Sequence, residues 1–148
     1  MPKTFFTEAD QQQIVEAIRL AELNTSGEIR VHLEAKCEGD AYDHARAVFE
    51  QLGMHNTEQK NGVLIYLAYD DKKFAILGDS GIHEKVSQQF WDEEKELLLS
   101  HFKQEEYTEG LCRVIAQAGQ KLKIHFPYRD SDTNELSNDI SFGKDTNE

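Results

Sequence analysis

Ile14, Ala17, Ile18 and Ala21 fall at i, i+3, i+4 and i+7, the spacing of one helical face. Thr7 with Asp10 three residues later forms a capping box in which Asp replaces the usual Glu. The pattern predicts a first helix that ends near Asn24, with Gly27 at the stop. The period then changes. Ile29, Val31, Leu33 and Ala35 alternate with Glu28, Arg30, His32 and Glu34, which predicts a strand with one buried face. Glu38-Gly-Asp40 breaks it, and Ala41, Ala45, Val48, Phe49 and Leu52 mark a second helix with Asp40 as its N-cap.

A polar loop over residues 53–62 ends in the turn dipeptide Asn61-Gly62. The run Gly62 to Tyr69 is apolar at odd and even positions alike, as a central strand covered on both faces should be. Asp70-Asp-Lys-Lys73 predicts a hairpin turn into Phe74-Ala-Ile-Leu77. Val86, Phe90, Trp91, Leu97 and Leu98 give a helical region of imperfect period that should bend, with Phe90 and Trp91 in the core or lining a groove. Leu111, Val114, Ile115, Ala118 and Leu122 mark a further helix, stopped at Pro127. The last twenty residues are polar and acidic around an apolar peg of Leu136, Ile140 and Phe142, and read as an irregular tail docked through that peg.

This order predicts an α/β fold, a three-layer α/β/α sandwich with a small mixed sheet of about four strands. Residues 1–127 form the domain and 128–148 the acidic tail, partly docked or flexible. A strand–helix–strand unit makes the first two strands parallel, and the hairpin makes the third antiparallel to the second. Three polar loops should therefore gather at one sheet end: Thr25 to Glu28, Thr57 to Gly62, and Gly78-Asp-Ser-Gly81. The opposite end gathers Glu38, Asp40, Asp43, Asp70 and Asp71.

Composition narrows the function. The 148 residues carry 28 acidic against 16 basic side chains, a formal net charge of −12. Such a field repels phosphate backbones, so nucleic acid is not an expected partner; divalent cations or a basic protein surface are. The run from Gly62 to Tyr69 is far shorter than the ~20 residues needed to cross a bilayer, and the first 25 residues pattern as an amphipathic helix rather than a signal peptide. Cys37 and Cys112 have no metal-like spacing and read as reduced thiols in a cytoplasmic protein.

The Gly78-Asp-Ser-Gly81 turn has several chemical readings. As a nucleophile, Ser80 would need a base, and His83 lies only three residues on. As a phosphate cradle the turn lacks a Walker pattern, and Asp79 would repel the anion. As a hard-cation site it joins Asp79, Glu28, Asn61 and Thr57, with Thr25, Ser80 and loop carbonyls, in an oxygen-rich set suited to Ca²⁺ or Mg²⁺. The plain alternatives are a helix N-cap for Asp79 and a turn residue for Asn61. Asp40, Asp43 and Asp70 form a second candidate cluster, whose plain reading is a cap and a solvated turn. Asp130-x-Asp132-x-Asn134 begins like an EF-hand loop, but Glu135 stands where Gly is needed and Ser141 at the twelfth position.

Along nearly its whole length the sequence resembles the TPM domain family. The likeness lies in Thr25-Ser-Gly-Glu-Ile-Arg-Val31, Leu52-Gly-Met54, Thr57, Asn61-Gly-Val-Leu-Ile65 and Gly78-Asp-x-Gly-Ile82. Phe90-Trp91, Gly110-Leu111, Phe126-Pro127 and Asn134-Glu-Leu136 complete it. The resemblance implies an α/β/α sandwich, divalent metal binding with calcium to the fore, and a link to acid phosphatase activity through plant members that act in photosystem II repair. It names no settled catalytic residues. Many bacterial members carry a signal peptide and a membrane helix, and neither pattern is found here, so the photosystem role and envelope location do not transfer. The expectation is a stand-alone module that binds a divalent ion, Ca²⁺ favoured and Mg²⁺ second, as a regulatory or interaction domain. The alternative is a metal-assisted phosphatase acting on phosphomonoesters.

Overall fold

The computed structural model describes residues 5–128 and 140–143. Helix α1 spans Glu8–Glu22, and both halves of the Thr7/Asp10 capping box form. Strand β1 runs Glu28–Glu34, and α2 runs Ala41–Gln51 with Asp40 accepting from the Asp43 amide as its cap. A 3-10 turn, Met54–Asn56, leads to β2, Gly62–Ala68. Strand β3 is Lys73–Gly78. The bend expected after it is a break between two helices. One-turn α3, Ser80–His83, gives way to α4, Gln88–Lys103, which Ser87 caps afresh. Helix α5 is Tyr107–His125.

The sheet order is β3-β2-β1-β4, with β1 parallel to β2 and β2 antiparallel to β3. The fourth strand is Ser141–Phe142, a stretch expected to lie in an irregular tail; it pairs parallel to β1 at His32 and Leu33. Asp130, Asp132, Asn134, Glu135 and Leu136 lie outside the described residues.

Three layers follow from the alternation of β2. Val63, Ile65 and Leu67 face α1, α4 and α5, where they join Ile14, Ile18, Leu98, Leu111 and Ile115. Leu64, Tyr66 and Ala68 face α2 and its Ala45, Val48 and Phe49. Both faces of β2 are dry, which is why its sequence shows no alternation.

The expectation of a single buried face on β1 is corrected here. Glu28, His32 and Glu34 are buried along with the apolar residues between them. They tolerate burial because they are paired. Tyr66 Oη donates to the Glu34 carboxylate, His44 Nε2 lies 2.8 Å from Glu34 Oε2, and His32 Nε2 lies 3.4 Å from Oε1.

Candidate functional site

The three loops expected to meet do so, and direct contacts hold them. The Glu28 amide donates to the Asn61 carbonyl at 3.4 Å, and the Asp79 amide donates to the Gly62 carbonyl at 2.9 Å. Ser26 Oγ accepts from Gln59 Nε2 at 2.7 Å and lies 3.5 Å from Asn61 Nδ2. Thr25 fixes its own loop: its hydroxyl accepts from the Gly27 amide and donates to the Phe126 carbonyl at the end of α5. The Gly78-Asp-Ser-Gly81 turn needs both glycines for space. A Cβ on Gly78 would lie 2.6 Å from the Trp91 ring. One on Gly81 would overlap the Gln59 carbonyl oxygen and lie 2.5 Å from that of Lys60.

Asp79 divides its work. Oδ1 accepts from the Ser80 amide at 2.7 Å and caps α3. Oδ2 is buried and has no hydrogen-bond partner among the described residues. The same holds for Asn61 Oδ1 and Thr57 Oγ1, on residues 1% and 2% exposed. Unpaired buried oxygens each cost roughly 1–3 kcal/mol, so three on touching loops are unusual. Glu28 is equally buried at this end. Nearby, Glu22 Oε2 accepts from the Ile29 amide at 2.7 Å. Burial pushes the Glu22 carboxyl up to about 8; that hydrogen bond resists the shift, and the charge of Glu28 adds to it. Unsatisfied buried oxygen is what a hard cation relieves. Ser80 is exposed, and His83 stacks over Trp91 with ring centroids 6.4 Å apart.

At the opposite sheet end, Asp40 caps α2 and Asp71 Oδ2 accepts from the Cys37 amide at 2.8 Å. Lys73 Nζ occupies the carbonyls of Cys37 and Gly39. Among the described residues, Asp40, Asp43 and Asp70 do not form a set of three ligand atoms within 4.8 Å of one another. The set that does is His101, Glu106 and Glu109, where α4 meets α5. There His101 Nδ1 is 2.9 Å from Glu106 Oε1, and both glutamates are exposed.

A cleft of about 610 Å³ runs along α2 and opens at Asp79; Tyr42, Asp43, Arg46, Glu50 and His55 line it. Two basic residues, Arg30 and Lys60, lie close in sequence to these loops. The cleft instead presents Arg46 and His55, while Lys60 Nζ donates to the His55 carbonyl at 2.6 Å. No spacing in the sequence marks Arg46; the packing of α2 against β3 places it in the lining of the same cleft as Asp79.

A mixed four-stranded sheet between helical layers, with loops from three strands drawn to one end, defines the class as an α/β/α sandwich. The TPM domain model matches residues 2–121, and the chain belongs to that family. It is similar to the BA42 protein of the psychrophilic bacterium Bizionia argentinensis, solved by NMR, at 48% identity and a TM-score of 0.89, covering 97% of this chain and 99% of that one. The N-terminal domain of a protein from P. gingivalis shares the fold at 19% identity and a TM-score of 0.67, over 84% of this chain and 82% of that one. So does the N-terminal domain of a Corynebacterium glutamicum protein, at 14% identity and a TM-score of 0.65 over 90% of each. No curated protein matches the chain. Among the described residues, no helix is long and apolar enough to cross a membrane.

Proposed function

We propose that this chain is a divalent-cation-binding module, Ca²⁺ favoured over Mg²⁺, whose ion sits at the sheet end formed by Asp79, Asn61, Thr57 and Glu28. One observation carries the reading: Asp79 Oδ2, Asn61 Oδ1 and Thr57 Oγ1 are buried without partners among the described residues, on loops that touch. The donor set is all oxygen, which suits a hard cation and not zinc. The ion would tie together three loops that otherwise hold neighbouring negative charge, a natural basis for a regulatory or interaction role. Thermal melts in EDTA and in Ca²⁺ test this. Binding to the folded state alone stabilises it by about 2.7 kcal/mol at a free ion concentration of 100 Kd. Identical melting temperatures in the two buffers sink the reading. Loss of the shift in Asp40→Ala rather than Asp79→Ala moves the ion to the other sheet end.

A second reading, metal-assisted hydrolysis of a phosphomonoester, is favoured by the cleft that joins Asp79 to Arg46 and His55. The ion would polarise a phosphoryl oxygen, and Arg46 would hold the remaining negative charge. A generic phosphomonoester assay discriminates. Activity that depends on both Asp79 and Arg46 supports it; activity unchanged in Asp79→Asn belongs to another site or a contaminant.

A further inference from the structure

Residues 140–143, Ile-Ser-Phe-Gly, are recognised side chain by side chain at the outer edge of β1. Ile140 is buried in the core shared with α1 and α5. Ser141 Oγ lies 2.6 Å from His32 Nδ1. Phe142, 57% exposed, borders a groove with Gln11, Gln12 and Val15 of α1. The Gly143 amide donates to the Leu33 carbonyl at 2.8 Å. A Cβ at Gly143 would overlap Glu34 Oε1 and lie 2.6 Å from the Glu34 Cβ, so only glycine fits there.

The receiving side is built without help from this segment. Glu34 is held by Tyr66 of β2 and His44 of α2, as well as by its neighbour His32. The hold on the segment is slight by comparison. It pairs two residues with β1, where β2 pairs seven. Along the rest of its outer edge β1 is closed in part by a side chain, since Glu22 takes the Ile29 amide. A strand edge with side-chain pockets at alternate positions is the geometry of peptide capture by strand addition.

We infer that the outer edge of β1 is a recognition site for an extended apolar–serine–aromatic–glycine segment. The chain's own residues 140–143 fill it, and the same segment of a second copy can replace them. Such replacement is reciprocal, so it closes into a two-fold dimer by exchange of the C-terminal strand. With a net charge of −12 on each copy, salt would favour the exchanged form.

The test uses the full chain and the segment itself. Gly143→Val leaves no space beside Glu34, so the variant's own strand vacates the edge. A fluorescent peptide spanning residues 137–146 should then bind the variant, by anisotropy, about tenfold or more tighter than it binds the wild type, because the wild-type site is already filled. The same peptide with Gly143→Val should bind neither protein. Equal peptide affinity for wild type and a folded Gly143→Val variant overturns the proposal. Should that variant not fold, a protease site is placed between Thr133 and Asn134 of the otherwise unchanged chain. After cleavage, excess labelled peptide should displace the released C-terminal piece, and a piece that never exchanges overturns the proposal equally.

Discussion

The Asp79 amide donates to the Gly62 carbonyl at 2.9 Å, and this bond ties the residue after β3 to the first residue of β2. One Asp79 carboxylate oxygen accepts from the Ser80 amide, and the other is buried without a partner among the described residues. The proposed ion binding therefore need not compete with capping, because the two would use different oxygens of Asp79. Asp79→Asn keeps a cap of nearly equal quality, so stability in EDTA should change by less than about 0.5 kcal/mol. The stabilisation by Ca²⁺ should disappear. Paired denaturant titrations with and without the ion measure both quantities on one protein.

Gly81 meets the Gln59 and Lys60 carbonyls at a distance no side chain tolerates. Gly81→Ala must push the 57–61 loop away from the turn. It should cost about 1–3 kcal/mol, the usual range for overpacking, and should weaken Ca²⁺ binding as well. Ser80→Ala, one residue away and exposed, should alter neither. Melting curves of the two variants side by side separate a steric role for the turn from a chemical role for its serine.

Glu94 lies on the buried face of α4, and its Oε1 has no partner among the described residues. Burial raises its carboxyl to about 7, with a smaller contribution from the neighbouring charge of Glu93. The folded state thus holds this proton more tightly than the unfolded state does. Stability should fall as pH rises from about 4.5 to about 7 and then level off for this group. Glu94→Gln cannot titrate. It should gain on the order of 2 kcal/mol over the wild type at pH 8, with the gain gone near pH 4. Urea unfolding across that window reads the slope directly.

Glu34 behaves in the opposite sense. Burial would raise its pKa, but hydrogen bonds from His32 and Tyr66, aided by the two nearby imidazoles, outweigh burial and hold it below the usual carboxylate range. Its contribution is present above the unfolded-state value of 4.5 and is lost as pH falls through the folded-state value. Tyr66→Phe removes one donor from this buried carboxylate. It should destabilise the protein by about 1–3 kcal/mol at pH 7, with a smaller cost in acid where the carboxyl is protonated. Destabilisation that stays constant as the pH is lowered through the Glu34 titration would contradict this role for the Tyr66 hydroxyl.

Local patterns in the chain determined most of the architecture. The Thr7/Asp10 box, the Asp40 cap, the period-2 run of β1 and the two-sided apolar run of β2 each act through neighbours in sequence, so their elements could be read directly. The βαβ connection and the hairpin then fixed which loops share a sheet end, because chain connectivity alone sets those strand directions. The tertiary structure decided the rest. It buried Glu28, His32 and Glu34, which read as a solvent face, because side-chain partners for Glu34 and His32 arrive from β2, α2 and β4, contacts that no local spacing encodes. It made a strand of Ser141–Phe142, too short for any periodicity to show, because the open edge of β1 supplies the order. It also left one oxygen of Asp79 without a partner among the described residues while the other caps a helix, a distinction of orientation between two chemically identical atoms that no residue pattern encodes.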